Sequence, residues 1–319
     1  MNYLETRVGQ NTILALSRRS APSVLLAVLA IVIAFFIAPR VFSFGGINAV
    51  SNSLAIVGIV GIAVVVVLGV GGLDLSVAGI VEMSAAAGLV AMHGVGGGTA
   101  IQVAVTMAAA GVAGAINGFL VAILRLSSLL ATLATSFIFT AVGLQLTGGS
   151  PIGDVSSGVQ WFGDESLGVP NALLTLLVLV AVMSVAASRT SWYRRALLIG
   201  ANQRAGVLDG ARVRLVEFSL YVVSGLVCGL AALVVTGQLG AFTSGQSGDL
   251  LLLALGVALL GGTKLFGGYV SPVGALAGAV LLALITVVLS LRYVEPSLQQ
   301  VVQGAVLLVA VCLSARDKN

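Results

Sequence analysis

Apolar runs long enough to cross a lipid bilayer recur along this chain from end to end, and that pattern rules out a water-soluble fold. Residues 21–38 carry no charge, and comparable runs follow at 47–70, 75–92, 99–124, 127–147, 170–187, 215–237, 249–262, 271–291 and 296–313. About 20 residues of helix, rising 1.5 Å each, span the hydrocarbon core. The expected fold is therefore all-α: a polytopic bundle of about ten transmembrane helices. Run 249–262 is the short member, covering only about 21 Å, so it must be tilted, broken or completed by neighbours. Composition agrees, with 59% of residues hydrophobic and 8% charged, against roughly a quarter charged in a soluble domain. The 41 glycines suit a bundle in which backbones approach closely in lipid. A cleaved leader is the rival reading of 21–38, but no small-x-small cleavage site follows, and the run is taken as a retained first span.

The basic residues orient the layout. With the N-terminus in the cytoplasm and the spans alternating, thirteen of the fifteen basic residues fall inside, and only Arg40 and Arg292 fall outside. The positive-inside rule requires such an imbalance. Both termini are then cytoplasmic, and the chain is one transmembrane domain over 1–319. It has a cytoplasmic N-terminal segment at 1–20, an outer (periplasmic) loop at 148–169 and a cytoplasmic stretch at 188–214 carrying six arginines. The last is longer than a simple connection needs, which suits either a partner-facing element or contact with lipid headgroups.

Several chemistries lack their residues. Cys228 and Cys312 lie in apolar runs without motif spacing, and His93 has no second ligand nearby, so no metal site is expected. A net charge of +4, placed as it is, gives no reason to expect nucleic acid. No phosphate-binding G-x-x-x-x-G-K-[ST] loop occurs, the order Gly261-Gly262-Thr263-Lys264 being wrong for one. Glu82 is the one carboxylate well inside a predicted span, thin support for an ion-coupled secondary transporter. Energy is therefore expected from a separate subunit. A passive channel and a purely structural scaffold remain the other classes.

Two glycine-led junctions stand out. Gly71-Gly72-Leu73-Asp74-Leu75-Ser76 joins two spans on the cytoplasmic side, where Asp74 can cap the following helix. Gly261, Gly262 and Lys264 begin a comparable junction at 261–268, hinting at a distant internal repeat. Both are expected as tight cytoplasmic hairpins. Polar residues within spans are the candidates for a translocation pathway, because they are costly in lipid and face a bundle interior. Asn48, Ser51 and Asn52 share one face, Asn117 lies near an inner helix end, and Thr132 and Thr135 sit early in the fifth span. Gln145 lies near that span's outer end, and Gln299 and Gln303 share a face of the last span. As a set they suit a neutral polar solute; individually, each can equally serve as an interhelical hydrogen bond. Ala110, Gly114 and Gly118, at four-residue spacing, form a helix-packing face.

Four stretches, GGLDLSVAG (71–79), NGFLVAILRLSSLLATLAT (117–135) with LTGGSPI (146–152), IGANQRAGVLDG (199–210) and LLGGTKLFGG (259–268), occur in this order. Together they resemble the signature stretches of ribose-type ABC transporter permeases, from about residue 45 to the C-terminus. The resemblance implies a permease subunit in the cytoplasmic (inner) membrane that binds no cofactor itself and performs no covalent chemistry. It implies a second permease subunit, identical or related, a cytoplasmic ATP-binding-cassette ATPase that uses the ATP, and a periplasmic or lipid-anchored sugar-binding protein. The implied cargo is a monosaccharide, with nucleosides or an autoinducer as alternatives within the superfamily. The stretch 199–210 matches the family's ATPase-docking helix–turn, with Gly200, Asn202, Ala205, Leu208 and Gly210 in the usual pattern. Gln203-Arg204 replaces commonly acidic residues and Asp209 a small one. Arg40 and Arg292 are candidates for contact with the binding protein, against the alternative of snorkelling to lipid headgroups.

Overall fold

A computed structural model describes residues 22–208, 210–245 and 247–316. Asp209 and the N-terminal segment 1–20 lie outside the described residues. Each of the ten predicted runs coincides with a helix. These are α1 (Pro22–Ile37), α2 (Phe44–Leu68), α3 (Val77–Val95), α4 (Gly98–Gly118, continued by a π-helical turn at Phe119–Ile123) and α5 (Ser128–Thr147), followed by α7 (Asn171–Arg189). After them come α10 (Val213–Leu239), α11 (Leu250–Leu260), α12 (Pro272–Leu291) and α13 (Pro296–Arg316). Between α5 and α7 stand the one-turn α6 (Ser157–Gln160) and a two-residue hairpin, β1 (Glu165–Ser166) with β2 (Val169–Pro170). Between α7 and α10 lie α8 (Ser191–Ala201) and α9 (Gln203–Leu208). Seven helices among the described residues (α2, α3, α4, α5, α7, α10 and α12) have the length and apolarity to cross a membrane, and α1 and α11 are shorter apolar helices.

Local chemistry sets the ends. Ser43 and Ser271 cap α2 and α12 by accepting from Gly46 N at 3.2 Å and Gly274 N at 2.9 Å, and Pro272 occupies the first turn of α12, where its missing N–H costs nothing. Left-handed glycines end α3 at Gly96, α5 at Gly148 and α10 at Gly240.

α2 is the central helix, with 78% of its most apolar window buried, whereas α5 and α7 bury only 28% each. The exposed faces of α5 and α7 are as apolar as the buried ones, as lipid contact requires. α4 and α10 cross in near backbone contact. A Cβ on Gly225 would sit 2.9 Å from Gly114 Cα, one on Gly229 2.8 Å from Ala110 Cβ, and one on Gly118 3.1 Å from Phe218 Cα. The stripe at 110, 114 and 118 is therefore the packing face its spacing predicts.

The two glycine-led junctions differ from the expected tight hairpins. After α2 the chain turns at 69–71 and then runs without helix through residues 72–76 before α3 begins. At Asp74 this segment reaches Ser224, the twelfth residue of α10, about 16 Å along that helix from its first residue. The junction folds back into the bundle because Asp74 and Ser76 find hydrogen-bond partners there. After α11 the chain again turns at Gly261 and Gly262 and stays non-helical until Pro272. At 11 residues α11 rises only about 16 Å, and non-helical chain follows it through residues 261–271.

Candidate coupling and translocation site

The arginine-rich end of the bundle carries a short two-helix element. Thr190 caps α8 by accepting from Tyr193 N at 3.3 Å, and Trp192 Nε1 donates to Ser219 Oγ of α10 at 2.7 Å. Tyr193 is buried against α2's end, its hydroxyl without a partner among the described residues, and burial pushes its phenol above the ordinary pKa. Asn202 breaks the helix in extended conformation. Its Oδ1 accepts from Arg204 N at 3.0 Å and Ala205 N at 3.3 Å, so the same residue that ends α8 starts α9. α9 presents Val207 and Leu208 to the outside, Leu208 at 88% exposure, and Gly210 follows at φ +73°.

Behind α9, three chain segments meet chiefly through glycines. Gly268 N donates to Gly69 O at 3.1 Å. A Cβ on Gly200 would collide with Gly69 O and lie 2.7 Å from Gly268 N, and one on Gly267 would lie 2.6 Å from Gly71 N and 2.9 Å from Gly200 Cα. Gly267 and Gly268 both hold φ +81°, a conformation side chains oppose. The end of α8, the end of α2 and the loop between α11 and α12 are thereby in direct backbone contact. Gly261 packs in turn against α12, where a Cβ would stand 2.7 Å from Ala275 N, while Gly262 turns at φ +75° and Lys264 is exposed.

Five of the residues singled out in the sequence converge on one buried network. Asp74 Oδ1 accepts from Ser76 N at 3.0 Å and Ser76 Oγ at 2.6 Å, and its Oδ2 accepts from Ser224 Oγ at 2.9 Å. Asn117 Nδ2 donates to Ser76 Oγ at 2.6 Å, and Thr135 Oγ1 donates to Asn117 Oδ1 at 2.7 Å. Thr132 Oγ1 accepts from Leu75 N at 3.0 Å, Ser128 Oγ accepts from Leu73 N at 3.2 Å, and the Tyr221 hydroxyl donates to Leu73 O at 3.4 Å. Asp74, Ser76, Asn117, Thr132 and Ser224 are fully buried. Leu73 and Leu75 of this non-helical stretch thus find backbone partners on α5 and α10, as non-helical chain inside a membrane protein must, while α4 holds the Ser76 side chain. These side chains serve one another, and the interhelical reading describes them here.

The remaining candidates lie toward the opposite end. Asn48 donates to the Glu165 carboxylate, and Gln238 Nε2 lies 3.4 Å from both Asn52 O and Asn52 Oδ1. Ser51 is buried beside them. Gln303 Nε2 donates to Thr286 Oγ1 at 3.1 Å, tying α13 to α12, and Gln299 Nε2 donates to Val294 O at 2.8 Å within the turn between those helices. Gln145 is exposed on α5. Arg292 donates to Ile37 O at the end of α1, a position a cation favours, and Arg40 is exposed in the following turn. Glu82 is buried and accepts from Gly245 N in the loop between α10 and α11.

Sequence reasoning missed Ser128, Tyr221 and Ser224. Tyr221 and Ser224 are isolated polar groups in an apolar run, Ser128 is one of two adjacent serines at a helix start, and only its partner, far away along the chain, distinguishes each. The contact of Gly245 with Glu82 was also unanticipated; Gly240, Gly245 and Gly248 suggest only non-helical chain there.

Residues 46–311 match the family described as branched-chain amino acid transport system / permease component. The chain is 32% identical over 272 residues to the ribose import permease protein of Bacillus subtilis (strain 168), covering 83% of each. It is 29% identical to the fructose import permease protein of Rhizobium meliloti over 93% of this chain and 85% of that one. It is 28% identical to the L-arabinose ABC transporter permease protein of Azospirillum brasilense over 93% and 86%. These matches run through the α8–α9 element, both glycine-led junctions and the buried network. The chain therefore belongs to the branched-chain amino acid transport system / permease component family, and is a multi-pass permease of the ABC-transporter kind.

Proposed function

We propose that this chain is the membrane-spanning half of an ATP-driven monosaccharide importer of the cytoplasmic membrane. In this reading the arginine-rich end is cytoplasmic. A separate ATP-binding-cassette ATPase docks on α9, a second permease copy completes the pathway, and an external sugar-binding protein delivers cargo at the end that holds residues 148–169.

The observation that carries the reading is the glycine contact behind α9. An ATPase pushing on Val207 and Leu208 moves α8, and the end of α8 bears on Gly69, Gly267 and Gly268 with no side chain larger than the Ala201 methyl to absorb the displacement. Gly69 leads into one of the two glycine-led junctions, and Gly267 and Gly268 lie within the other. Motion imposed at α9 is thereby delivered where helices α2, α3, α11 and α12 are interrupted, and the network around Asp74 hands it to α4, α5 and α10. Ligand sites formed by interrupted helices are a common transporter design. The sugars named for the three relatives suggest a neutral, hydroxyl-rich cargo, which the amides and hydroxyls of the outer half suit.

The test is uptake of labelled D-ribose, D-fructose and L-arabinose into proteoliposomes holding this permease with its ATPase, supplied with the external binding protein. Uptake of one of these sugars should require ATP inside and survive a protonophore. Uptake that collapses with the protonophore and ignores ATP would establish the ion-coupled alternative.

A further inference from the structure

At the cytoplasmic end a cavity of about 400 Å³ opens between the 70–72 turn, the end of α4, the start of α10 and α9, within the size range of small-molecule sites. The proposed function makes no use of it. Its wall is unlike the rest of this apolar chain. Arg125, Arg214 and Glu217 line it together with Gln203 of α9 and Tyr221. Arg214 and Glu217, three apart on α10, share a face, and Glu217, partly buried, feels the charge of Arg125. None of the three enters an ion pair within 4.0 Å with another described residue. The cavity thus holds charged groups of both signs that are near one another yet still have hydrogen-bonding capacity to offer.

We propose that this cavity is a cytoplasmic binding site for the imported sugar in its free, uncharged form, through which accumulated product slows the transporter. The inference rests on the importer reading. An uncharged polyol matches the wall because each hydroxyl both donates and accepts: it can donate to the Glu217 carboxylate and accept from the Arg125 and Arg214 guanidiniums and the Gln203 amide. A phosphorylated sugar would gain from the two guanidiniums but would set its dianion against the Glu217 carboxylate, which an uncharged polyol instead uses as an acceptor for its own hydroxyls. Position supplies the regulatory consequence. The lining includes Gln203 and Val207 of α9 and also Gly71 and Gly72, so a bound sugar touches both the ATPase-docking element and the start of the interrupted segment. Occupancy favours the arrangement in which those walls keep their present spacing, and the stroke between them is opposed.

The experiment uses the assembled complex of permease and ATPase in proteoliposomes loaded with ATP, with the binding protein and labelled sugar outside. Millimolar unlabelled sugar inside should lower the initial uptake rate about fivefold or more, and betaine at equal osmolarity should not. Glu217→Gln and, separately, Arg214→Gln, the latter an exposed residue whose replacement leaves packing intact, should take up sugar normally into ATP-loaded vesicles that contain no sugar and escape the inhibition. Three results would overturn the inference: uptake that proceeds indifferent to internal sugar; both variants inhibited like the parent, which would put the inhibition in the transport pathway itself; or inhibition by internal sugar phosphate but not by free sugar. Absence of any ATP-driven uptake would instead overturn the importer reading, and this inference with it.

Discussion

Asp74 illustrates how one carboxylate can hold a membrane protein's irregular backbone in place. It gathers three donors, Ser76 N, Ser76 Oγ and Ser224 Oγ, in a site without exposure. A buried hydrogen bond contributes about 0.5–1.5 kcal/mol, and leaving a buried donor without its partner costs about 1–3 kcal/mol. Ser224→Ala should therefore lower stability by about 1–3 kcal/mol, whereas Asp74→Ala, which orphans all three donors, should cost several times more and prevent accumulation of folded protein. Thermal unfolding in detergent, with the yield of monodisperse protein on gel filtration, measures both. Glu82 gives a contrasting case. Its carboxylate accepts from Gly245 N, a task an amide oxygen also performs. Glu82→Gln should retain most uptake and Glu82→Ala lose it; abolition of uptake by Glu82→Gln with assembly intact would return a proton-binding role to this residue.

Among elements, the junctions behave as contact surfaces more than as turns. Gly200 lies where α8 touches the ends of two other segments, and Gly200→Val would drive a side chain into Gly69 O and Gly268 N. The expected result is a folded complex whose ATP hydrolysis no longer tracks sugar uptake, read from the two rates in one proteoliposome preparation. The helices themselves were legible in the sequence, because apolar runs and their glycine, serine and proline ends are local properties. Pairing was legible where small residues repeat every four positions, as at 110, 114 and 118. The junctions were legible in composition and misjudged in shape: Gly71-Gly72 announces a turn, but nothing nearby says that residues 72–76 continue inward to meet Ser224. Asn117, Thr132 and Thr135 were singled out as polar groups in lipid. Their mutual arrangement depends on helices α4 and α5 being brought beside Asp74, which no spacing records.

The whole molecule divides its polar chemistry between its two ends and one buried network, with greasy helix faces elsewhere. The end that carries residues 148–169 is laced by side chains, Gln102 Oε1 accepting from Ser156 N at 3.1 Å and Oγ at 2.6 Å, and Asn171 Nδ2 donating to Trp161 O at 2.7 Å. The inner end offers α9. Exchanging residues 203–208 for those of a related permease should transfer preference for that permease's ATPase while cargo is unchanged, measured by co-purification and by uptake of each sugar. Unaltered ATPase preference would remove α9 as the docking element.

Where Gly200, Gly69 and Gly268 touch, main chain rests on main chain, like bare gears meshing without bushings. Such a joint transmits a stroke with almost no slack and leaves evolution little room to retune it. Diversity among these machines should therefore accumulate at the exposed tip that selects the engine and at the mouth that greets the carrier, while the linkage between them stays fixed in form.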